Sequence, residues 1–191
     1  MRFSEIVNEG SPDTIAGSYT PDLVFSKQWL CQTLAELLNG QSAGTICALG
    51  SWYGNIGVFL QQSNIVFDHL VLVETDREKL ESSKQLLPTL IDKNMVTFVL
   101  GDATSIEYPE NCTIINTSSN EMDNGWLDCT PDGSCVIIQG RNNTTSPVPV
   151  TTENLEQFDA AFPLSKTLYI NEIQLEDPEV PYTRFMKIGI K

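Results

Sequence analysis

Apolar and polar positions change their period several times along this chain, and each change marks an element. Trp29, Leu30, Leu34, Leu37 and Leu38 recur at helical spacing and Asn39-Gly40 supplies a stop, which predicts a helix over residues 26–38. Residues 1–25 read as an irregular N-terminal segment with one helical turn near its start, polar and interrupted by Gly10, Pro12 and Gly17. Short apolar runs follow at 45–49, 70–73, 95–100, 112–115 and 134–139, each of a length suited to a strand. Helical stretches separate most of them: 56–61, then 77–86 closing before Pro88, then 122–127 carrying Trp126. Thr75 and Glu78 stand at capping-box spacing for the second of these, with Asp76 as the other candidate cap. Residues 140–150, rich in Asn, Thr and Pro, read as a loop, and Thr152 caps a helix holding Leu155, Phe158 and Phe162 that Pro163 ends. The period then changes again, and 167–175 and 182–190 read as two strands joined by an acidic loop. Strands alternating with helices, followed by two closing strands, predict a doubly wound α/β sheet of seven strands with an antiparallel C-terminal strand, all within one domain over 26–191.

Composition narrows the classes. A chain of 191 residues with 41% apolar content buries a core of ordinary size. It shows no apolar run long enough to span a bilayer, which argues against a membrane partner. The start lacks the basic and apolar halves of a signal peptide, so a cytoplasmic location is expected. Cys31, Cys47, Cys112, Cys129 and Cys135 form no Cys-x-x-Cys pair and are expected as reduced thiols, and the Asn-x-Ser/Thr triplets then carry no glycosylation meaning. His69, the only histidine, opens an apolar strand and reads as structural; no metal is expected. A net charge of −14 argues against a nucleic-acid partner, because a phosphate backbone calls for a cluster of Lys and Arg.

The chemistry concentrates at the ends of the apolar runs. The first stops at Gly50-Ser51-Trp52-Tyr53-Gly54 and a helical stretch begins at once, the pattern of a strand, a tight turn and a helix N-terminus that suits a nucleotide-like cofactor. Glu74 ends the second run about 20 residues on, the spacing at which an acid meets ribose hydroxyls. Asp102, in Gly101-Asp102-Ala103 after the third, is placed to accept from an adenine amine or to form a turn. The polar run Asn116 to Glu121 after the fourth lies where ligands collect in an open parallel sheet; Ser119 and Asn120 could equally cap the next helix. Lys27 lies near the start of its helix, either solvated or within reach of an acidic ligand group, and Tyr19 and Tyr53 are candidates for the entrance.

In this order and spacing the residues resemble the class I S-adenosylmethionine-dependent methyltransferases. The resemblance covers about Pro21 to Lys191 and is strongest to a compact set frequent in bacteriophage and marine bacterial genomes, through Gly50 to Gly54, Asn116 to Ser119, and Arg184-Phe185-Met186-Lys187-Ile188-Gly189. It implies a Rossmann-like methyltransferase fold, S-adenosylmethionine as cofactor, and methyl transfer to a small molecule or peptide. It also implies cofactor contacts from Gly50, Ser51, Trp52, Tyr53, Gly54, Glu74, Asp102 and Ala103. Asn116 and Glu121 are then the candidate catalytic residues, orienting the acceptor or taking its proton. Two departures stand out: the family usually carries an acid where Ala48 stands and a further glycine where Trp52 stands. The Asp-Pro-Pro-Tyr or Asn-Pro-Pro-Tyr motif of amino-methylating nucleic-acid enzymes is also missing after the fourth run. The same pocket would serve transfer of the cofactor's aminocarboxypropyl arm, and loss of the first-motif acid would equally suit a binding or structural protein that kept the fold. The glycine spacing does not suit an NAD-dependent dehydrogenase.

Overall fold

In the computed structural model, which describes residues 14–142, 148–176 and 181–191, the apolar periods resolve into a mixed sheet with helices on both faces. In chain order the elements are α1 (Pro21–Leu38), β1 (Thr45–Leu49), α2 (Asn55–Gln62), β2 (His69–Glu74), α3 (Arg77–Ser83), α4 (Pro88–Asp92) and β3 (Val96–Leu100). Then come β4 (Thr113–Asn116), α5 (Gly125–Cys129), β5 (Cys135–Arg141), α6 (Leu155–Ala161), β6 (Lys166–Leu175) and β7 (Tyr182–Ile190). The strand order is β3-β2-β1-β4-β5-β7-β6; the first five strands run parallel, and β7 pairs antiparallel with both β5 and β6. This is the expected Rossmann-like, seven-stranded sheet with its antiparallel C-terminal strand.

Alternation along the strands decides which side chain serves which face. Ile46, Ala48, Leu70, Leu72, Ile115 and Ile137 face α1 and α2, packing with Leu30, Leu34, Ile56 and Leu60. Their neighbours Cys47, Leu49, Val73, Ile114, Val136 and Ile138 face the other way, onto Trp126, Phe158, Phe162 and Phe185. On that second face Phe158 sits 5.2 Å from Phe162 and 5.3 Å from Phe185, centroid to centroid, a compact aromatic cluster. All five cysteines are free thiols. His69 is half-buried and its Nε2 lies 2.8 Å from the Thr97 hydroxyl.

Several boundaries differ from the sequence expectation for local reasons. The first helix begins at Pro21, not at residue 26, because Pro occupies the first helical turn, where its missing N–H costs nothing. Residues 21–25 are therefore helical; residues 1–13 lie outside the described ones. Asn39 ends that helix in the left-handed region, as the Asn-Gly pair predicts. Asp76, not Thr75, caps α3, accepting from the N–H groups of Glu78 and Lys79. That helix stops at Ser83, a 3-10 turn covers Lys84–Leu86, and Pro88 opens the short α4 that periodicity did not reveal. Asn154, not Thr152, caps α6. No helix begins at Met122; a 3-10 turn at Ser119–Glu121 precedes α5, which starts at Gly125. Part of the 140–150 loop and of the 176–181 loop also lies outside the described residues.

Gly189 lets β7 lie close against β6: a Cβ there would meet the Lys166 carbonyl oxygen and come within 2.8 Å of Leu164. Backbone cannot give way as a flexible side chain can, so Gly189→Ala is expected to cost about 1–3 kcal/mol, read as a lower urea midpoint. An unchanged midpoint would mean that the β6–β7 pairing is looser than described.

Candidate functional site

Because β1 is flanked by β2 on one side and β4 on the other, the chain turns in opposite directions at its carboxyl end, and a crevice opens there. It measures about 1040 Å³ and extends along the carboxyl edge from the loop after β3 to Arg184 of β7. That volume lies at the upper end of what small-molecule sites offer. Of the residues singled out from sequence, Gly50, Ser51, Trp52, Glu74, Asp102, Ala103 and Glu121 line it, whereas Tyr53, Gly54 and Asn116 do not. Lys27 and Ala48 line it as well.

The turn after β1 is held in an unusual shape. Gly50 and Gly54 have φ of 54° and 71°, and Trp52 reaches 52°, a left-handed conformation that costs a side-chain-bearing residue roughly 1–2 kcal/mol. Trp52 therefore sits where glycine would be easiest, at the position where the resembling family carries one. Its N–H donates to Glu74 Oε2 at 2.7 Å, while Oε1 accepts from the N–H groups of Thr75 at 2.9 Å and Asp76 at 3.1 Å. Glu74 thus fastens the turn to the end of β2 and keeps acceptor capacity on Oε2. Ser51 anchors the same turn through its N–H to the Val73 carbonyl at 2.9 Å, yet its buried Oγ has no hydrogen-bond partner. Tyr53 is buried and packs on Trp52, 5.3 Å between centroids; Gly54 is required because a Cβ would press on Ser83 at 2.7 Å.

Asp102 makes its turn and lines the crevice at once. Its Oδ1 accepts from the Thr104 N–H at 2.8 Å and hydroxyl at 2.7 Å, and these bonds, the N–H first, hold the carboxyl below its usual range. Asn116 is fully buried at the end of β4: Oδ1 accepts from the Ser118 N–H at 2.9 Å, and Nδ2 donates to Met122 Sδ at 3.4 Å. This shapes the 116–122 segment and steers Met122 over Gly50, where a Cβ would strike its methyl. Ser119 and Asn120 cap no helix. The Ser119 hydroxyl donates to the Gln139 carbonyl, and Asn120 accepts from Arg141 N–H, so both stitch the segment to β5. Glu121 stands at the rim, ion-paired with Arg141 at 3.2 Å.

Four cations complete the lining, Lys27, Lys79, Arg141 and Arg184; Lys79 is ion-paired with Asp76 at 3.7 Å, and sequence reasoning weighed only Lys27. Since α1 starts at Pro21, Lys27 lies two turns in and is 5% exposed, so it is not the solvated end-of-helix lysine that its position suggested. Burial, with Arg184 nearby, pulls its amine down to about 7 against the opposing pull of Cys31, Asp22 and Glu121. Arg184 is equally buried; its Nη2 donates to the Thr117 carbonyl at 2.8 Å and its Nε has no partner. Arg184 was detectable as a charge interrupting an otherwise apolar strand, 182–190, though Lys187 does the same and is structural: it ion-pairs with Asp159 and donates to the Asp159 and Phe162 carbonyls. Among the described residues no cluster of His, Cys, Asp and Glu could hold a metal ion, and no helix is long and apolar enough to cross a membrane.

No protein-family model and no curated protein matches the sequence. Solved structures match the fold. A SAM-dependent methyltransferase from Leishmania major superposes over 96% of this chain and 79% of its own, with a TM-score of 0.68 at 10% identity. A proposed sarcosine dimethylglycine methyltransferase from Galdieria sulphuraria matches over 97% and 92%, with a TM-score of 0.63 at 9% identity. A proposed RNA methyltransferase from Pyrococcus horikoshii matches over 97% and 89%, with a TM-score of 0.61 at 14% identity. The architecture is therefore one shared with SAM-dependent methyltransferases, at identities that speak to fold alone.

The buried Lys27 amine makes stability depend on pH. Unfolded, its amine holds a proton up to its ordinary value of 10.5; folded, only to about 7. Between these the unfolded chain binds more protons, so stability contributed at this position rises with pH across that window. Lys27→Met is expected to flatten that rise and, at or below neutral pH, to stabilise the fold by ~1–4 kcal/mol. Thermal melts of both proteins across the window check it; identical pH slopes would contradict the burial of this amine.

Proposed function

We propose that the protein transfers a methyl group from S-adenosylmethionine to a small-molecule or peptide acceptor bound in the carboxyl-edge crevice. The observation that carries this reading is the turn after β1: locked by Glu74 and bearing a buried Ser51 hydroxyl without a partner, it is built to be completed by a polar ligand. The residues fit the cofactor. Glu74 Oε2 would accept from a ribose hydroxyl, Asp102 and Ala103 would meet the adenine, and Gly50, Ser51 and Trp52 would lie along the methionine part, above Ala48. Tyr53 and Gly54 would act from behind, as packing that holds the turn.

Bound there, S-adenosylmethionine supplies a methyl group whose bonding pair stays on sulfur, leaving a neutral thioether, as the acceptor's lone pair forms the new bond. What the chain must add is alignment and dryness. Met122 and Trp126 wall the crevice beside the turn. Glu121 would take the proton that the acceptor releases, its carboxylate placed by Arg141. Asn116, buried beneath the segment, serves as a positioning residue through Ser118 and Met122. A nucleic-acid acceptor is disfavoured by the net charge of −14, and two of the crevice cations, Lys27 and Arg184, are buried rather than spread over a surface.

Calorimetric titration with S-adenosylmethionine, S-adenosylhomocysteine and NAD tests the reading: micromolar binding of the first two and none of NAD is expected. Glu74→Ala should weaken both by at least about tenfold, the loss of a charge-assisted hydrogen bond plus a loosened turn. Asp102→Ala should weaken them less, since this carboxylate is exposed. No binding by the unaltered protein would end the methyl-transfer proposal.

A further inference from the structure

The crevice has opposite polarity at its two ends. Glu74 and Asp102 mark the end over β2 and β3, where the lining Lys79 is ion-paired with Asp76 at 3.7 Å, while Lys27, Arg141 and Arg184 gather where β5 and β7 meet, with Arg141 and Arg184 directly paired in the sheet register. Of the negative groups near this cationic end, Glu121 is paired with Arg141, and Asp22 accepts from the Tyr182 hydroxyl through Oδ2 at 2.7 Å, its buried Oδ1 without a hydrogen-bond partner and neither oxygen in an ion pair with Lys27 or Arg184. Lys27 forms no ion pair or hydrogen bond among the described residues, and Arg184 spends one nitrogen on the Thr117 carbonyl and leaves Nε without a partner. A buried cation is costly unless paired. Lys187 shows how this fold meets that cost where the cation is structural, with an ion pair and two carbonyls. Lys27 and Arg184 lack such a set, and they line a crevice. Guanidinium geometry suits two-point recognition of a carboxylate or phosphate, and an ammonium adds a point charge beside it.

We infer that the β5–β7 end of the crevice is an anion subsite in which Lys27 and Arg184, with Arg141 at the rim, hold the carboxylate or phosphate of a small-molecule acceptor. That the anion belongs to an acceptor rests on the methyl-transfer reading; the anion subsite itself does not. The same chemistry could come from the carboxylate of the cofactor's amino-acid part, and competition separates the two sources.

The full chain is titrated calorimetrically with inorganic phosphate, alone and after saturation with S-adenosylhomocysteine, and Lys27→Met and Arg184→Met are treated in the same way. Phosphate is expected to bind, with affinity falling roughly tenfold or more in each variant, the loss of one charge-assisted contact. Saturating S-adenosylhomocysteine is expected to leave phosphate affinity within about twofold. Phosphate binding that is missing, or equal in the variants, overturns the subsite. Phosphate displaced by S-adenosylhomocysteine, but not by 5′-methylthioadenosine, which lacks the amino-acid part, assigns the cations to the cofactor and overturns the acceptor claim. If neither nucleoside binds, the methyl-transfer reading and the acceptor claim fall with it, while the phosphate arm still decides the subsite. Should Arg184→Met fail to fold by circular dichroism, Lys27→Met decides alone.

Discussion

The bond from Trp52 N–H to Glu74 is the contact on which the rest of the site depends. It joins the turn after one central strand to the end of its neighbour, and it holds a tryptophan in a backbone region where glycine is normally required. Parallel register sets this up: Leu49 lies opposite Val73 on one side and Asn116 on the other, so the loops after β1, β2 and β4 leave the sheet at one level. With the turn fixed, Ser51 lies in the crevice floor and Gly50 lies bare beneath Met122. A carboxylate that binds backbone on one side can still offer a lone pair on the other. Structural and ligand-binding roles for Glu74 therefore do not compete.

Electrostatics divides the crevice. A chain with 25 acidic and 11 basic residues places four of its basic ones along a single crevice and leaves two of them, Lys27 and Arg184, buried without an ion pair among the described residues. Such an arrangement is unfavourable in the empty protein and favourable when an anion arrives, so stability is exchanged for affinity. The acidic exterior repels large polyanions, and the cationic end of the crevice would, on the proposed reading, select small ones. Both features suit the small anionic acceptor proposed.

The sheet was legible in the sequence because strand signals are local: an apolar run, a turn residue, a change of period. The 182–190 strand was read with the bounds it has in the structure, and the glycine turn, Glu74 and Asp102 were placed on one edge by topology alone. Roles that depend on tertiary packing were not legible. Asn116 looked like an acceptor-facing residue and proves to be buried inside its own loop, because its amide is consumed by Ser118 and Met122. Lys27 looked like an end-of-helix residue because the helix was started at residue 26, whereas Pro21 opens it. Arg184 and Lys187 are alike in sequence and opposite in surroundings, a distinction that only Asp159 and the Phe162 carbonyl could reveal.

The most direct test is a crystal structure of the protein with S-adenosylhomocysteine and phosphate together. The account predicts ribose oxygens at hydrogen-bond distance from Glu74 Oε2, adenine beside Asp102 and Ala103, and a separate phosphate between Lys27 and Arg184. A nucleoside bound away from the β1 turn, or one whose amino-acid carboxylate fills the cationic end, would contradict it.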